Sequence, residues 1–311
     1  MQLLLLQLLG VSVGLQSLTG PSGNSAILAD MNTFIILSAV SMLAGTMLLM
    51  WIGEQITQSG IGNGISLIIF AGIVSAIPSA IGQTFTMLNT GAMNFITLIA
   101  ILALILATVA IIIYVELGER RVPITYAKKT VMQNQNKRVM NYIPIKVNLA
   151  GVIPVIFASA ILMFPMTIMS SSTNPTVLMF ADYLNPNSYF FQLLTFLFVV
   201  FFAFFYASIT FSAKDISENL KRQGGFIPGI RTGNATMEFL NETASRLTFT
   251  GALYLGLVAT LPFMIIHEMG VGFFFGGTAV LIVVQVALDT MRKIEAQLYM
   301  SKYETLSAVG L

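Results

Sequence analysis

An all-α, polytopic membrane helix bundle is the fold class this sequence predicts, on three observations. Of its 311 residues, 56% are hydrophobic and 9% charged, with a mean hydropathy of +0.85. Soluble domains run nearer 45–50% apolar and about 25% charged, so too few polar side chains are present to cover a water-facing surface. The apolar residues gather into eight windows of about 20 residues, the length that crosses a hydrocarbon core of about 30 Å as helix. None of the 15 lysines and arginines falls inside a window. Long unbroken runs, rather than short alternating ones, exclude a β-barrel, and open backbone cannot face lipid.

The windows follow in order. Residues 1–18 are leucine-rich and carry Gln7; residues 33–52 end on Trp51 and Ile52. Residues 63–82 begin at Asn63, which the Gly60–Gly64 turn presents as an N-cap, and contain Pro78. Residues 94–115 are apolar almost throughout and stop before Glu116. Residues 147–169 carry Asn148, Ser159, Pro154 and Pro165; residues 189–212 are rich in phenylalanine. Residues 247–266 contain Thr250 and Pro262, and residues 272–291 begin around Gly276-Gly277-Thr278. Kinked, amide-bearing helices suit a moving interface, while the same polar groups also serve as ordinary glue between helices.

Basic residues assign the topology. Arg120, Arg121, Lys128, Lys129, Lys137, Arg138 and Lys146 lie between the fourth and fifth windows. Lys214, Lys221, Arg222, Arg231 and Arg246 lie between the sixth and seventh, and Arg292, Lys293 and Lys302 in the tail. These segments share one side of an eight-span chain, and positive charge marks the cytoplasmic side, so both termini are expected there. The organisation follows: residues 1–82 hold three spans, residues 83–291 five spans with cytoplasmic loops 116–146 and 213–246, and residues 292–311 form a tail. Topology alone accounts for basic loops, but loops this long exceed what a helix connection needs and suggest two docking projections. In the first, Val122, Ile124 and Tyr126 alternate as in a hairpin strand. In the second, Asp215 to Arg222 reads as an amphipathic helix broken at Gly224-Gly225, with Arg231 at a water-exposed tip.

Several chemistries fall away. No cysteine and one histidine, His267, leave no thiol nucleophile and no metal-ligand cluster, so neither a metal nor a cofactor is expected. The span centres hold no ionisable group, which argues against an ion-coupled relay. Glu54, Glu116 and Asp289 sit at span ends and read as solvated interfacial charges. The Gly60–Gly64 turn is followed by no lysine and is no phosphate cradle. No serine with a base and no aspartate pair lies within the spans, so the chain is not expected to be an enzyme.

Four strings resemble one family. Trp51-Ile52-Gly53-Glu54-Gln55-Ile56-Thr57 runs into Gly60-Ile61-Gly62-Asn63-Gly64-Ile65-Ser66 and Phe70-Ala71-Gly72-Ile73. Glu119-Arg120-Arg121 precedes Tyr126-Ala127-Lys128. Ile145 to Pro154 reads IKVNLAGVIP, and Phe226-Ile227-Pro228-Gly229-Ile230-Arg231 accompanies Gly276-Gly277-Thr278. Together they resemble the bacterial SecY protein-conducting channel, with matches across almost the whole chain. The family has ten spans in two inverted halves, and the eight windows resemble its third to tenth. The resemblance thus implies a chain lacking the first two spans, by fragmentation or a misplaced start.

The resemblance also implies roles. The family seals its pore with a ring of aliphatic side chains, matched by Ile65, Ile69, Ile156 and Ile282; Ile65 and Ile69, spaced i, i+4, share a helix face. Its lateral gate is matched by Asn148, Val152 and Phe164, with Gln7 opposite. Motor and ribosome docking is matched by Arg231 and by Lys128, Lys129, Lys137 and Arg138. Implied partners are SecE-like and SecG-like subunits, the SecA motor ATPase, the ribosome, signal sequences, unfolded client polypeptides and membrane lipid. The implied location is the bacterial plasma membrane, and the implied function is a central pore subunit that conducts unfolded polypeptide and releases spans sideways into lipid. A secondary transporter, which predicts intramembrane charge or a polar pocket, and an inactive truncated or scaffold form are the alternatives.

Overall fold

The computed structural model describes residues 30–126, 141–170, 177, 183–186, 188–268 and 276–308. Its helices are α1 (Met31–Gln58), α2 (Gly64–Ser75), α3 (Ile77–Asn89) and α4 (Phe95–Glu116), followed by strands β1 (Glu119–Tyr126) and β2 (Asn141–Lys146). Then come α5 (Ile153–Ser170), α6 (Tyr189–Thr210), α7 (Ala213–Arg222), the two-residue β3 (Gly225–Phe226), α8 (Asn234–Glu268) and α9 (Gly277–Ala308). Five described stretches are long and apolar enough to cross a membrane: Asn32–Gln58, Gly64–Asn89, Phe95–Glu116, Tyr189–Arg222 and Asn234–Ile265. Ile153–Met166 is a shorter apolar helix. The expected window 1–18 lies outside the described residues.

Four boundaries differ from the sequence reading, each for a local physical reason. The window 63–82 is two helices rather than one: the chain turns at Ala76, where Pro78 at the start of α3 brings no N–H to continue the ladder, and helix resumes to Asn89. The window 147–169 becomes helical only at Ile153, because Gly151 adopts φ +67° and the preceding residues form a turn. The sixth-to-seventh loop ends at residue 233 rather than 246, since α8 starts at Asn234 and runs 35 residues without a break. The tail is likewise helical through residue 308, as α9 continues past its apolar half. Asn63 caps α2 as expected, its side chain accepting from the Ser66 N–H at 3.2 Å.

The bundle is organised around α8, which packs on α6, α9, α4 and α7, while α5 lies on α6 and α2 joins α1 to α9. One apolar core runs through α2, α4, α5, α6, α8 and α9, with Ile112, Val155, Val199, Leu255 and Leu281 almost wholly buried in it. Glycines set the closest approaches. A Cβ on Gly256 would lie 2.6 Å from the Phe196 ring, and one on Gly277 would run into the Val258 carbonyl oxygen. Small residues of this kind let helix backbones meet where lipid supplies no hydrophobic drive between helices.

Outside the bundle, the two basic loops are not separate projections. They form one folded unit. β1 pairs antiparallel with β2, placing Val122 opposite Ile143 and Arg120 opposite Ile145, as the expected hairpin requires. β3, from the other loop, adds to the far edge of β1 through Thr125–Phe226 and Tyr126–Gly225, giving the order β2-β1-β3. Pro123 is tolerated in the middle strand because β3 reaches only Thr125 and Tyr126, leaving that edge open beside the proline. Gly225 is required: a Cβ there would sit 2.9 Å from the Tyr126 ring.

Beneath the sheet, Val122, Ile145, Ala213, Ile227 and Leu240 make a second buried core. Leu240, on the polar first turns of α8, has no exposed surface. Truncating it (Leu240→Ala) should cost about 2–5 kcal/mol. Hydrogen exchange would show the loss as faster exchange in β1, β2 and α7, with the 247–265 part of α8 unchanged.

Candidate functional site

Three of the four isoleucines matched to a pore ring lie in or against one apolar core cluster. Ile282 of α9 is buried in the main core, and Ile69 of α2 and Ile156 of α5 are partly buried against that same cluster. Ile65 stands apart, 53% exposed at the first turn of α2, with Gly53 of α1 behind it: a Cβ on Gly53 would lie 3.2 Å from its Cγ1. The i, i+4 spacing thus places Ile65 and Ile69 on one stripe of α2, and depth along the helix separates their surroundings.

The residues matched to a lateral gate fall on or beside α5. Val152 is buried in the main core, Asn148 is buried below it, and Phe164 is half-buried farther along the helix. Gln7, Lys128, Lys129, Lys137 and Arg138 lie outside the described residues. Arg231 is exposed, as expected, in a turn bounded by Gly229 at φ +84° and Gly233 at φ +101°. Thr236 Oγ1 donates to the Arg231 carbonyl at 2.8 Å, so the start of α8 holds the turn while the guanidinium is left outward. Among the described residues Arg231 makes no ion pair, in contrast to Arg121 on Glu119 and Arg246 on Glu242.

Sequence reading missed the junction around Asn148. Glu116 is not a solvated interfacial charge: it is 6% exposed, at the C-terminal end of α4. Asn148 Nδ2 donates to Glu116 Oε1 at 2.6 Å, while Asn148 Oδ1 accepts from the Gly151 N–H at 3.0 Å and so shapes the turn that starts α5. The Val147 N–H donates to the Gly118 carbonyl at 3.1 Å, and Arg292 Nη2 donates to the Glu116 carbonyl at 3.2 Å. Lys146 pairs with Asp289 at 3.6 Å on the junction's half-exposed rim. Gly251 of α8 makes room, since a Cβ there would lie 2.6 Å from the Val147 carbonyl oxygen. The one available signal was Glu116 itself, a carboxylate closing a helix whose other residues are uncharged.

No described group of histidine, cysteine, aspartate or glutamate is arranged to hold a metal ion. What the arrangement offers is an apolar core inside a bundle, a basic unit outside it, and a buried polar junction around Glu116 and Asn148.

The family model for SecY matches residues 1–291. The chain belongs to the SecY family. Protein translocase subunit SecY of Helicobacter pylori is 64% identical over 307 residues, covering 98% of this chain and 73% of that protein. The Aquifex aeolicus SecY is 41% identical, covering 96% and 70%, and the Escherichia coli K12 SecY is 39% identical, covering 97% and 69%. A solved structure concerned with the plug domain and closed state of the SecY channel superposes with a TM-score of 0.65 at 19% identity, over 92% of this chain and 70% of that one. A second, of a protein-conducting channel, gives 0.63 at 19% identity, over 92% and 69%. These two similarities establish the fold, which is mostly helical with one small sheet. As a SecY-family protein the chain is a multi-pass membrane subunit of protein translocation, not an enzyme.

Proposed function

We propose that this chain forms the conducting core of a bacterial plasma-membrane translocon, with both termini cytoplasmic, passing unfolded polypeptide across the bilayer and releasing spans sideways beside α5 and α6. Its waist is the set Ile65, Ile69, Ile156 and Ile282. Ile69, Ile156 and Ile282 all lie in or against one apolar core cluster, and that placement, in a chain matched by the SecY family model, carries the reading. An aliphatic constriction offers no site to a hydrated ion and closes partly by dewetting, yet it has no sequence preference of its own for a passing chain. Asn148, Val152 and Phe164, with Gln7, belong to the side exit. Arg231, with Lys128, Lys129, Lys137 and Arg138, receives the SecA motor and the ribosome, and SecE-like and SecG-like subunits complete the assembly. Energy comes from those partners. A secondary transporter is the rival reading, and the match to SecY proteins over nearly the whole chain supports the channel instead.

The absence of native cysteine makes a direct test clean. Single cysteines at positions 69, 156 and 282 should cross-link a client stalled in transit, whereas a cysteine at Ile96, 81% exposed on α4, should not. Equal cross-linking at all four positions, or none at 156 and 282, would refute the waist.

A further inference from the structure

We propose that Glu116 is a positioning residue for conduction: its carboxylate, through Asn148, holds the foot of α5 in place, and Tyr254 and Gln285 are the partners to which this junction switches when α5 moves. The inference rests on the conducting reading above and goes beyond it by naming the contact that sets the resting position of α5.

The placement of Glu116 is unfavourable on its own account. It is the one carboxylate buried among the described residues, and it sits at a helix C-terminus, where the backbone dipole disfavours negative charge. Burial of an unpaired carboxylate is costly, so its partners define where this end of α4 can rest. The side-chain partner is Asn148, whose opposite face forms the Gly151 turn leading into α5. One amide therefore ties the carboxylate to the start of α5, and losing it would release the turn and strand the charge together.

Two further buried groups, the Tyr254 hydroxyl of α8 and the Gln285 Oε1 of α9, have no hydrogen-bond partner among the described residues. Gln285 borders the turn, since a Cβ on Gly151 would lie 3.2 Å from its Nε2, and Tyr254 lies within electrostatic reach of Glu116. A donor and an acceptor held in reserve beside a carboxylate–amide pair make a second hydrogen-bonding arrangement available, which is what a two-position element requires. Access from outside is direct: β2 ends at Lys146, and the next two residues are Val147 and Asn148. A pull on the basic unit reaches the junction through a strand and not through a loose linker.

The test uses the full chain reconstituted with its translocase subunits in vesicles, and reads resting ion leak and client transport. Glu116→Gln keeps an acceptor for Asn148 and should leave both within twofold of the unchanged protein. Glu116→Leu removes it and should raise resting leak tenfold or more, Asn148→Leu should do the same, and the double variant should add nothing further, as expected of one shared contact. Additive effects, or Glu116→Leu with unchanged leak in vesicles that transport, would overturn the proposal, as would a Glu116→Gln variant that behaves like Glu116→Leu. Should Glu116→Leu fail to fold, cysteines at Lys146 and Asp289 joined by a short bismaleimide give the answer in the otherwise unchanged chain. The linked protein should lose at least nine-tenths of its transport, and full transport by linked protein would overturn the inference. Absence of transport by the unchanged protein would instead remove the conducting reading, and this inference with it.

Discussion

Replacing Gly277 by valine is expected to separate α9 from α8 and to lower stability by about 3 kcal/mol or more, the upper range for forcing atoms into a packed site. A side chain at this position meets backbone, not a flexible neighbour: the Val258 carbonyl lies in its path, the Ala259 carbonyl is 3.1 Å away, and Pro262 Cδ is 3.2 Å away. Neither helix can yield locally, because α9 carries Leu281 and Ile282 into the main core within the next two turns. SDS-induced unfolding of the detergent-solubilised chain would measure the loss. Gly82→Ala in α3 is the control. Nothing lies within 4 Å of its added Cβ, so a gain of about 0.5 kcal/mol is expected from the helix preference of alanine over glycine. Equal effects of the two substitutions would mean that the α8–α9 crossing is not close packed.

Arg231→Glu is expected to reduce motor-driven export tenfold or more while leaving the chain folded. The side chain is exposed, and its turn is held by main-chain and Thr236 contacts that the substitution does not touch. Reversal turns an attractive contact with a partner carboxylate or phosphate into a repulsive one, and tenfold corresponds to only about 1.4 kcal/mol. Truncating one member of a buried interfacial charge pair commonly costs about 2–5 kcal/mol. Arg231→Lys should recover part of the rate, since an ammonium keeps the charge but lacks the planar fork that binds two oxygens at once. Normal export by Arg231→Glu, assayed with motor and client in vesicles, would remove Arg231 from the docking surface. Glu218, exposed on α7 and in an i, i+4 pair with Arg222, gives a comparison for charge change elsewhere on the same unit.

Much of this protein was legible along the chain. Membrane residence followed from composition, and most helices followed from unbroken apolar windows, because both depend on what one stretch of sequence does in lipid. The β1–β2 hairpin was legible in the alternation of Val122, Ile124 and Tyr126, and the capping of α2 in the Gly-rich turn before Asn63. Helix ends were less legible where polarity changed and backbone did not. The start of α8, Asn234 to Arg246, reads as loop because it is polar, yet it is helical because Met237 and Leu240 rest on the sheet.

The remaining features arise between residues far apart in sequence, where no window can reveal them. Asn148 and Glu116 are 32 positions apart and Arg292 and Glu116 are 176 apart, so a carboxylate that locally resembles any solvated span end is buried by partners from elsewhere. Two basic loops became one unit because β3 completes β1 from the opposite side of three helices' worth of chain. Sequence by itself determined that this protein lives in a membrane and where most of its apolar helices lie, since transfer to lipid is decided residue by residue. Only the tertiary structure decided which polar groups share the buried junction and which glycines carry a helix crossing, since hydrogen bonds and close packing belong to pairs.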